Sequence, residues 1–142
     1  MKEVNAYLMF NGNAREAMKF YAEVFGADLD VMTYGEAKEE CPDANKDQVM
    51  HAKLSKADCV LFMAADAMQN EKVQQGSNCS LNVNCENLQE IEQFFKNMSH
   101  KGKVTTQLKE TFWATRFGML TDQFGIQWMF NLTKSNMENK AS

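Results

Sequence analysis

Two histidines and one proline are all that this 142-residue chain holds of either type, and other residues that usually advertise chemistry are just as sparse. Seven glycines are scattered and none form GxGxxG. No strand–helix turn is therefore built to cradle a dinucleotide pyrophosphate. Four cysteines, Cys41, Cys59, Cys79 and Cys85, make no CxxC pair, which removes the zinc-knuckle and thioredoxin-type signals. In a reducing compartment they are expected to be free thiols packed as small hydrophobes. No serine or cysteine stands in a GxSxG elbow, so no activated nucleophile is signalled. Glu3 interrupts the N-terminal stretch before a secretion signal can form. No apolar run approaches the roughly 18 residues that span a bilayer. No membrane partner is expected, and cytoplasm is the expected location. The lysines form no basic stripe and the net charge is −4, which argues against nucleic acid as a partner.

What is present is a repeat. Ala14, Ala17, Met18, Tyr21, Val24 and Phe25 recur at helical spacing. Asn13 is placed to cap this helix, Glu16 to complete a capping box and Gly26 to stop it. Adding 74 to each number finds Asn87 as cap, Glu90 as its acid, and a stripe of Leu88, Ile91, Phe94, Phe95 and Met98. Upstream, the alternating Tyr7 and Met9 map at the same offset onto Leu81 and Val83. Three strand-like runs follow each helix: Asp28–Tyr34, Gln48–Leu54 and Cys59–Ala64, then Lys103–Lys109, Trp113–Thr121 and Ile126–Asn131. Glu36–Lys46 is an acidic loop holding Pro42, and Ala67–Gly76 is a polar join. The order is βαβββ–βαβββ, an α+β fold, since strands and helices do not alternate as in a doubly wound sheet. One domain over residues 1–132 is expected, with module one at about 1–66 and module two at about 77–132. Residues 133–142 are expected to be a flexible tail. Truncating Phe94 to Ala is expected to cost about 3–5 kcal/mol, as core aromatic deletions do.

The segments AYLMFNGNAREAMKFYAEVFGAD, HAKL and FWATRFGMLTDQFGIQWMFN resemble the glyoxalase/bleomycin-resistance/dioxygenase group, the vicinal-oxygen-chelate superfamily. Within it they are most similar to the PhnB-like branch, which opens YLxFxGxAxEAxxFYxxxFG and closes FWGxRFGxxxDPFGxxWxxN. The matches run from Tyr7 to Asn131. The resemblance implies two βαβββ modules whose curved mixed sheets enclose a cavity, in proteins that are commonly homodimers. Some labels for this branch mention a ubiquinone-pathway methyltransferase, and the missing glycine-rich loop gives that no support. In catalytic members four His, Glu or Gln side chains hold a divalent metal that acts as a Lewis acid on the substrate. Here the corresponding places read Asn5 or Ala6, Leu61–Ala64, Asn78–Ser80, and Trp128 or Met129, with no His, Asp or Glu among them. No metal ligand is therefore assigned and no cofactor is expected, a divalent metal being disfavoured.

The candidate ligand-binding residues are Tyr7, His51, Phe112, Trp113, Arg116 and Trp128. His51 has the one side chain in its strand whose ordinary pKa suits proton transfer near neutrality. Strict alternation there places Met50, Ala52 and Leu54 on one face, with Val49, His51 and Lys53 on the other. His100 follows the second helix, where it would complement the helix C-terminus in solvent. Arg116 lies in an aromatic strand, so it pairs with an acid, reaches solvent or meets an anionic ligand. Phe112, Trp113 and Trp128 are of the type that stacks on a flat ligand, although aromatics on strands also build cores. Ala114 replaces the branch's glycine, and its methyl would narrow the cavity or its rim. Gln123 replaces the turn proline, which the turn can survive. The leading expectation is a homodimeric, metal-independent binder of a small molecule, with an apolar-aromatic pocket and no assigned catalysis. The alternative is a metal-dependent lyase, isomerase or dioxygenase that would recruit His51 with a carboxylate such as Asp66. A third reading is a regulatory or assembly domain with no small ligand.

Overall fold

The computed structural model describes residues 1–37, 46–68 and 71–134. Its elements are β1 (Tyr7–Phe10), α1 (Ala14–Phe25), β2 (Asp28–Thr33), α2 (Tyr34–Ala37), β3 (Val49–Lys56) and β4 (Cys59–Asp66). They continue with β5 (Leu81–Asn84), α3 (Leu88–Met98), β6 (Lys103–Lys109), β7 (Ala114–Thr121) and β8 (Gln127–Thr133). Cys41, Pro42 and most of the acidic loop lie outside the described residues, as does the tail from 135. The chain divides into two compact units, residues 1–74 and 75–142. Each holds one four-stranded mixed sheet, ordered β1-β4-β3-β2 in the first and β5-β8-β7-β6 in the second. In both, the first strand pairs in parallel with the last and the other pairs are antiparallel. The expected α+β repeat is thus present twice in one topology.

In unit one, α1 lays Ala14, Ala17, Met18 and Tyr21, all fully buried, against its sheet. Tyr21 meets Phe62 edge-on at 5.6 Å between ring centroids. Burying each such large side chain contributes about 1.5–3 kcal/mol. Gly26 ends the helix in the left-handed region at φ 60°, as its type predicts. Asn13, however, makes no side-chain cap. Asp66, arriving at the end of β4, accepts instead from the Ala14 amide at 2.9 Å and from the Val49 amide at 2.9 Å. A distant carboxylate thus does the work expected of the neighbouring asparagine, and its charge complements the helix N-terminus. The one-turn α2 was not expected. It forms because the Thr33 hydroxyl accepts from the Glu36 amide at 3.1 Å, ending β2 one residue early. Strand β3 also departs from strict alternation. Thr33 pairs with Val49 and Met32 with His51, so Met50 is an extra, bulged residue. The bulge moves Val49 onto the face of Ala52 and Leu54, where it is buried, while His51 keeps the opposite face.

In unit two, α3 follows the expected capping chemistry. Asn87 Oδ1 accepts from the Glu90 amide at 2.8 Å, and Glu90 Oε1 accepts from the Glu86 amide at 3.0 Å. Ile91, Phe95 and Met98 are buried, but Leu88 is exposed and Phe94 half-buried. The core of this stripe is therefore Phe95, not Phe94, and the truncation penalty belongs there. Phe95 meets Phe130 edge-on at 5.7 Å. Gly118 makes this possible, since a Cβ there would come within 2.7 Å of the Phe95 ring. The helices match at an offset of 74, with Tyr21 and Phe95 equally placed, but the strands do not. Leu81 and Val83 pair with the buried Trp128 and Phe130, whereas Tyr7 and Met9 are exposed and Leu8 and Phe10 are the inward pair of β1. An offset of 73 carries Leu8 and Phe10 onto Leu81 and Val83. One residue of slip between strand and helix reverses which side chains face outward.

Candidate functional site

Each sheet buries one face under its helix and leaves the other open, and the open face is where unsatisfied chemistry collects. In unit one the strand registers place Tyr7 beside Met63 and His51 beside Met32. Tyr7, Met9, Met32 and Leu61 are all exposed. Inside this apolar field the Tyr7 hydroxyl lies 3.2 Å from His51 Nδ1, with ring centroids 5.8 Å apart. Burial, and then the nearby Tyr34 phenol, raise the Tyr7 pKa. The hydroxyl therefore stays protonated, and it donates to Nδ1 or accepts from it according to the His51 tautomer. Tyr34 itself donates to the Met68 sulfur at 3.2 Å. Two candidate residues that are 44 positions apart are thus brought together, and Tyr34 joins them although the sequence reading passed over it. A tyrosine ending a β-run, with its apolar neighbours accounted for, was the available signal.

Unit two treats its candidates differently. Trp128 is 2% exposed, and its indole Nε1 donates to Asp122 Oδ2 at 2.8 Å. The expectation that it stacks on a ligand is corrected: it is a core residue. The same aspartate's Oδ1 accepts from the amides of Phe124 and Ile126, and Gly125 sits at φ 88°. The D-x-F-G-x-x-W pattern is thus a turn tied to a tryptophan, which explains why glutamine at 123 is tolerated. Phe112 and Trp113 are 89% and 46% exposed. Their rings are 4.9 Å apart, and Trp113 meets Phe117 edge-on at 5.5 Å. Arg116 alternates with Phe117 and therefore lies toward the other face of β7, in register with Leu132. It donates to the Thr115 carbonyl at 2.8 Å and has no acidic partner among the described residues. The structure does not gather Arg116 with the aromatic trio. Ala114 is fully buried, so its methyl packs inside the unit rather than narrowing a rim.

A divalent metal of the kind the fold family uses needs about three N or O ligands converging on one point. Among the described residues no group of three or more His, Cys, Asp or Glu is placed to hold one. The pairing of His51 with Asp66 fails on geometry. Both Asp66 oxygens are engaged by backbone amides on the helix side, while His51 faces the open side. The described residues do not fit the metal. A separate open cleft of about 450 Å³ beside the start of α1 sets Arg15 and Lys19 against Glu16, Asp47 and Asp66. The Asp66 carboxylate already occupies that helix N-terminus and disfavours a phosphate there. No described helix is long and apolar enough to cross a membrane.

Comparison with known proteins agrees with this architecture. The family model described as 3-demethylubiquinone-9 3-methyltransferase matches residues 2–130. Protein YjdN of Escherichia coli strain K12 is 32% identical, over 92% of this chain and 95% of its own. The crystal structure of protein PA1353 from Pseudomonas aeruginosa is 34% identical at a TM-score of 0.80, covering 92% of this chain and 98% of that one. A PhnB protein from Bacillus cereus, described as a 3-demethylubiquinone-9 3-methyltransferase, is 28% identical at 0.77, covering 93% and 100%. At 10% identity and a TM-score of 0.66, a glyoxylase/bleomycin resistance protein/dioxygenase domain from Frankia shares the fold, covering 94% of this chain and 99% of that one.

Proposed function

The chain belongs to the PhnB-like family on the glyoxalase/bleomycin-resistance fold, and from that premise we propose that it binds a small apolar or aromatic molecule without a metal, as a homodimer. The observation that carries this reading is the hydrogen-bonded Tyr7–His51 pair among exposed Met9, Met32 and Leu61, with the Lys53–Asp30 ion pair farther along the same face. Ligand sites are mostly apolar with a few placed polar groups. An exposed apolar sheet face also calls for a covering surface, which a second copy or a ligand supplies. Between them, the phenol and the imidazole offer a ligand both hydrogen-bond donor and acceptor capacity. Arg116, on unit two and toward the other face of β7, is a separate candidate contact for an anionic group. The methyltransferase description of the matching family finds no support in the sequence, where none of the seven glycines form GxGxxG.

The test is a ligand screen by NMR in the presence of EDTA, with aromatic compounds offered with and without a carboxylate. Binders are expected to shift the His51 ring and the methyl signals of Met9 and Met32, and to lose affinity in Tyr7→Ala. Binding seen only when a divalent metal is added, or binders that leave His51 unmoved, would overturn the reading. Light scattering of the purified protein is expected to give twice the chain mass; a monomer at all concentrations contradicts the dimer.

A further inference from the structure

The open face of unit two carries amides where that of unit one carries methionines. Asn82 and Asn84 lie two apart on β5 and share a face. Asn131 on β8 stands in register between Asn84 and Phe117. Asn84 Oδ1 accepts from Asn82 Nδ2 at 3.0 Å and from Asn131 Nδ2 at 3.5 Å. The other end of the Asn131 amide has nothing. Its Oδ1 is shut off from solvent and has no hydrogen-bond partner among the described residues. A buried acceptor without a donor is costly and rare, so native proteins keep few of them. Beside it lies an aromatic surface: Phe117, with Trp113 edge-on to it and Phe112 on Trp113. This face carries no carboxylate in the register positions Asn82, Met129, Met119, Phe117 and Asn131.

We propose that Asn131 is the recognition group for a neutral flat ring bearing an N–H or O–H donor. The ring lies against Phe117 in the place that Trp113 now holds, and its donor satisfies Asn131 Oδ1. Asn84, by holding Nδ2, fixes which end of the amide points at the ligand. This inference rests on the small-molecule reading above and concerns the open face of unit two alone. It also accounts for an asparagine within a strand whose inward residues, Trp128 and Phe130, are buried in the core. The exposed Trp113 can give way at little cost, because about half of its surface already faces solvent.

Benzimidazole and 1-methylbenzimidazole separate the possibilities. Both keep the flat ring and the acceptor nitrogen; the methyl compound lacks the donor. Titrated into the whole chain and followed by NMR, benzimidazole is expected to shift the Asn131 side-chain amide and the Trp113 indole signal. It should bind about tenfold more tightly than its methyl derivative, the loss that accompanies one buried hydrogen bond. Asn131→Leu should erase that difference, whereas Asn131→Asp, which keeps the acceptor, should retain it. The ligand-free Asn131→Leu protein should melt no lower than the native chain, since it loses an unpaired buried group. Equal affinity for the two compounds, or no shift at Asn131 with either, overturns the proposal without recourse to a variant. Ligands that shift His51 while leaving Asn131 untouched would sink this inference and leave the proposed function standing.

Discussion

The two units share a strand order and a helix stripe, yet they solve the same local problems with different residues. At the helix start, unit two uses its own Asn87 and Glu90, while unit one borrows Asp66 from the far end of its sheet. On the open face, unit one sets a phenol–imidazole pair among thioethers, and unit two sets a row of amides beside aromatics. The shared parts are those that bury apolar surface, where only shape and hydrophobicity matter. The divergent parts are those that carry directional hydrogen bonds. A repeat can therefore keep its fold while each half acquires its own chemistry.

The largest expected effect sharpens the core comparison. Phe95→Ala should cost about 3–5 kcal/mol in denaturant unfolding, as a fully packed aromatic does, and Phe94→Ala clearly less. Equal penalties would mean that the stripe is misplaced. Next, Asp66→Ala leaves two buried amides without an acceptor and should cost about 2–4 kcal/mol. The partner experiment in unit two, Asn87→Ala, should cost about 1 kcal/mol, and Asn13→Ala almost nothing. A large loss from Asn13→Ala would break the contrast between distant and local caps.

Smaller effects concern titration. Burial, followed by the neighbouring Glu90, pushes the Cys85 thiol up to about 12. Because the folded value is raised, the thiol's contribution is fully present below the unfolded pKa and is lost as pH climbs from about 9 toward 12. Native stability should fall over that window and fall less in Cys85→Ala. At neutral pH, alkylation should label the exposed Cys59 and Cys79 well before Cys85. The smallest change is expected for Tyr7→Phe. Stability should barely move, but ring nitrogen shifts of His51 should show a changed tautomer ratio; an unchanged ratio would remove Tyr7 as the group that sets it.

Period-3.6 and period-2 patterns made the eleven elements largely legible beforehand, because burying an apolar stripe is a local demand that leaves a local trace. α1, α3 and the positions of all eight strands follow from it. What could not be read was non-local or depended on a single inserted residue. The Met50 bulge turns Val49 inward, and the one-residue slip between β1 and β5 sends Tyr7 outward but Leu81 inward. The Asp66 cap joins positions 52 apart. Among the candidate site residues, Tyr7 and His51 meet, Phe112 and Trp113 meet, and Trp128 is withdrawn into the core by Asp122. An aromatic on a strand looks the same in either role until its neighbours are known. The period-2 pair Asn82 and Asn84 was readable as one polar face, but its partner Asn131 became visible only through strand pairing.

The claim at the centre of this account is that the site works without a metal. Elemental analysis of freshly purified protein, before and after incubation with nickel, zinc, manganese and iron followed by dialysis, tests it most directly. The account predicts far less than one metal per chain under every condition. One retained metal ion per chain would contradict it and would make metal-assisted catalysis the function to pursue.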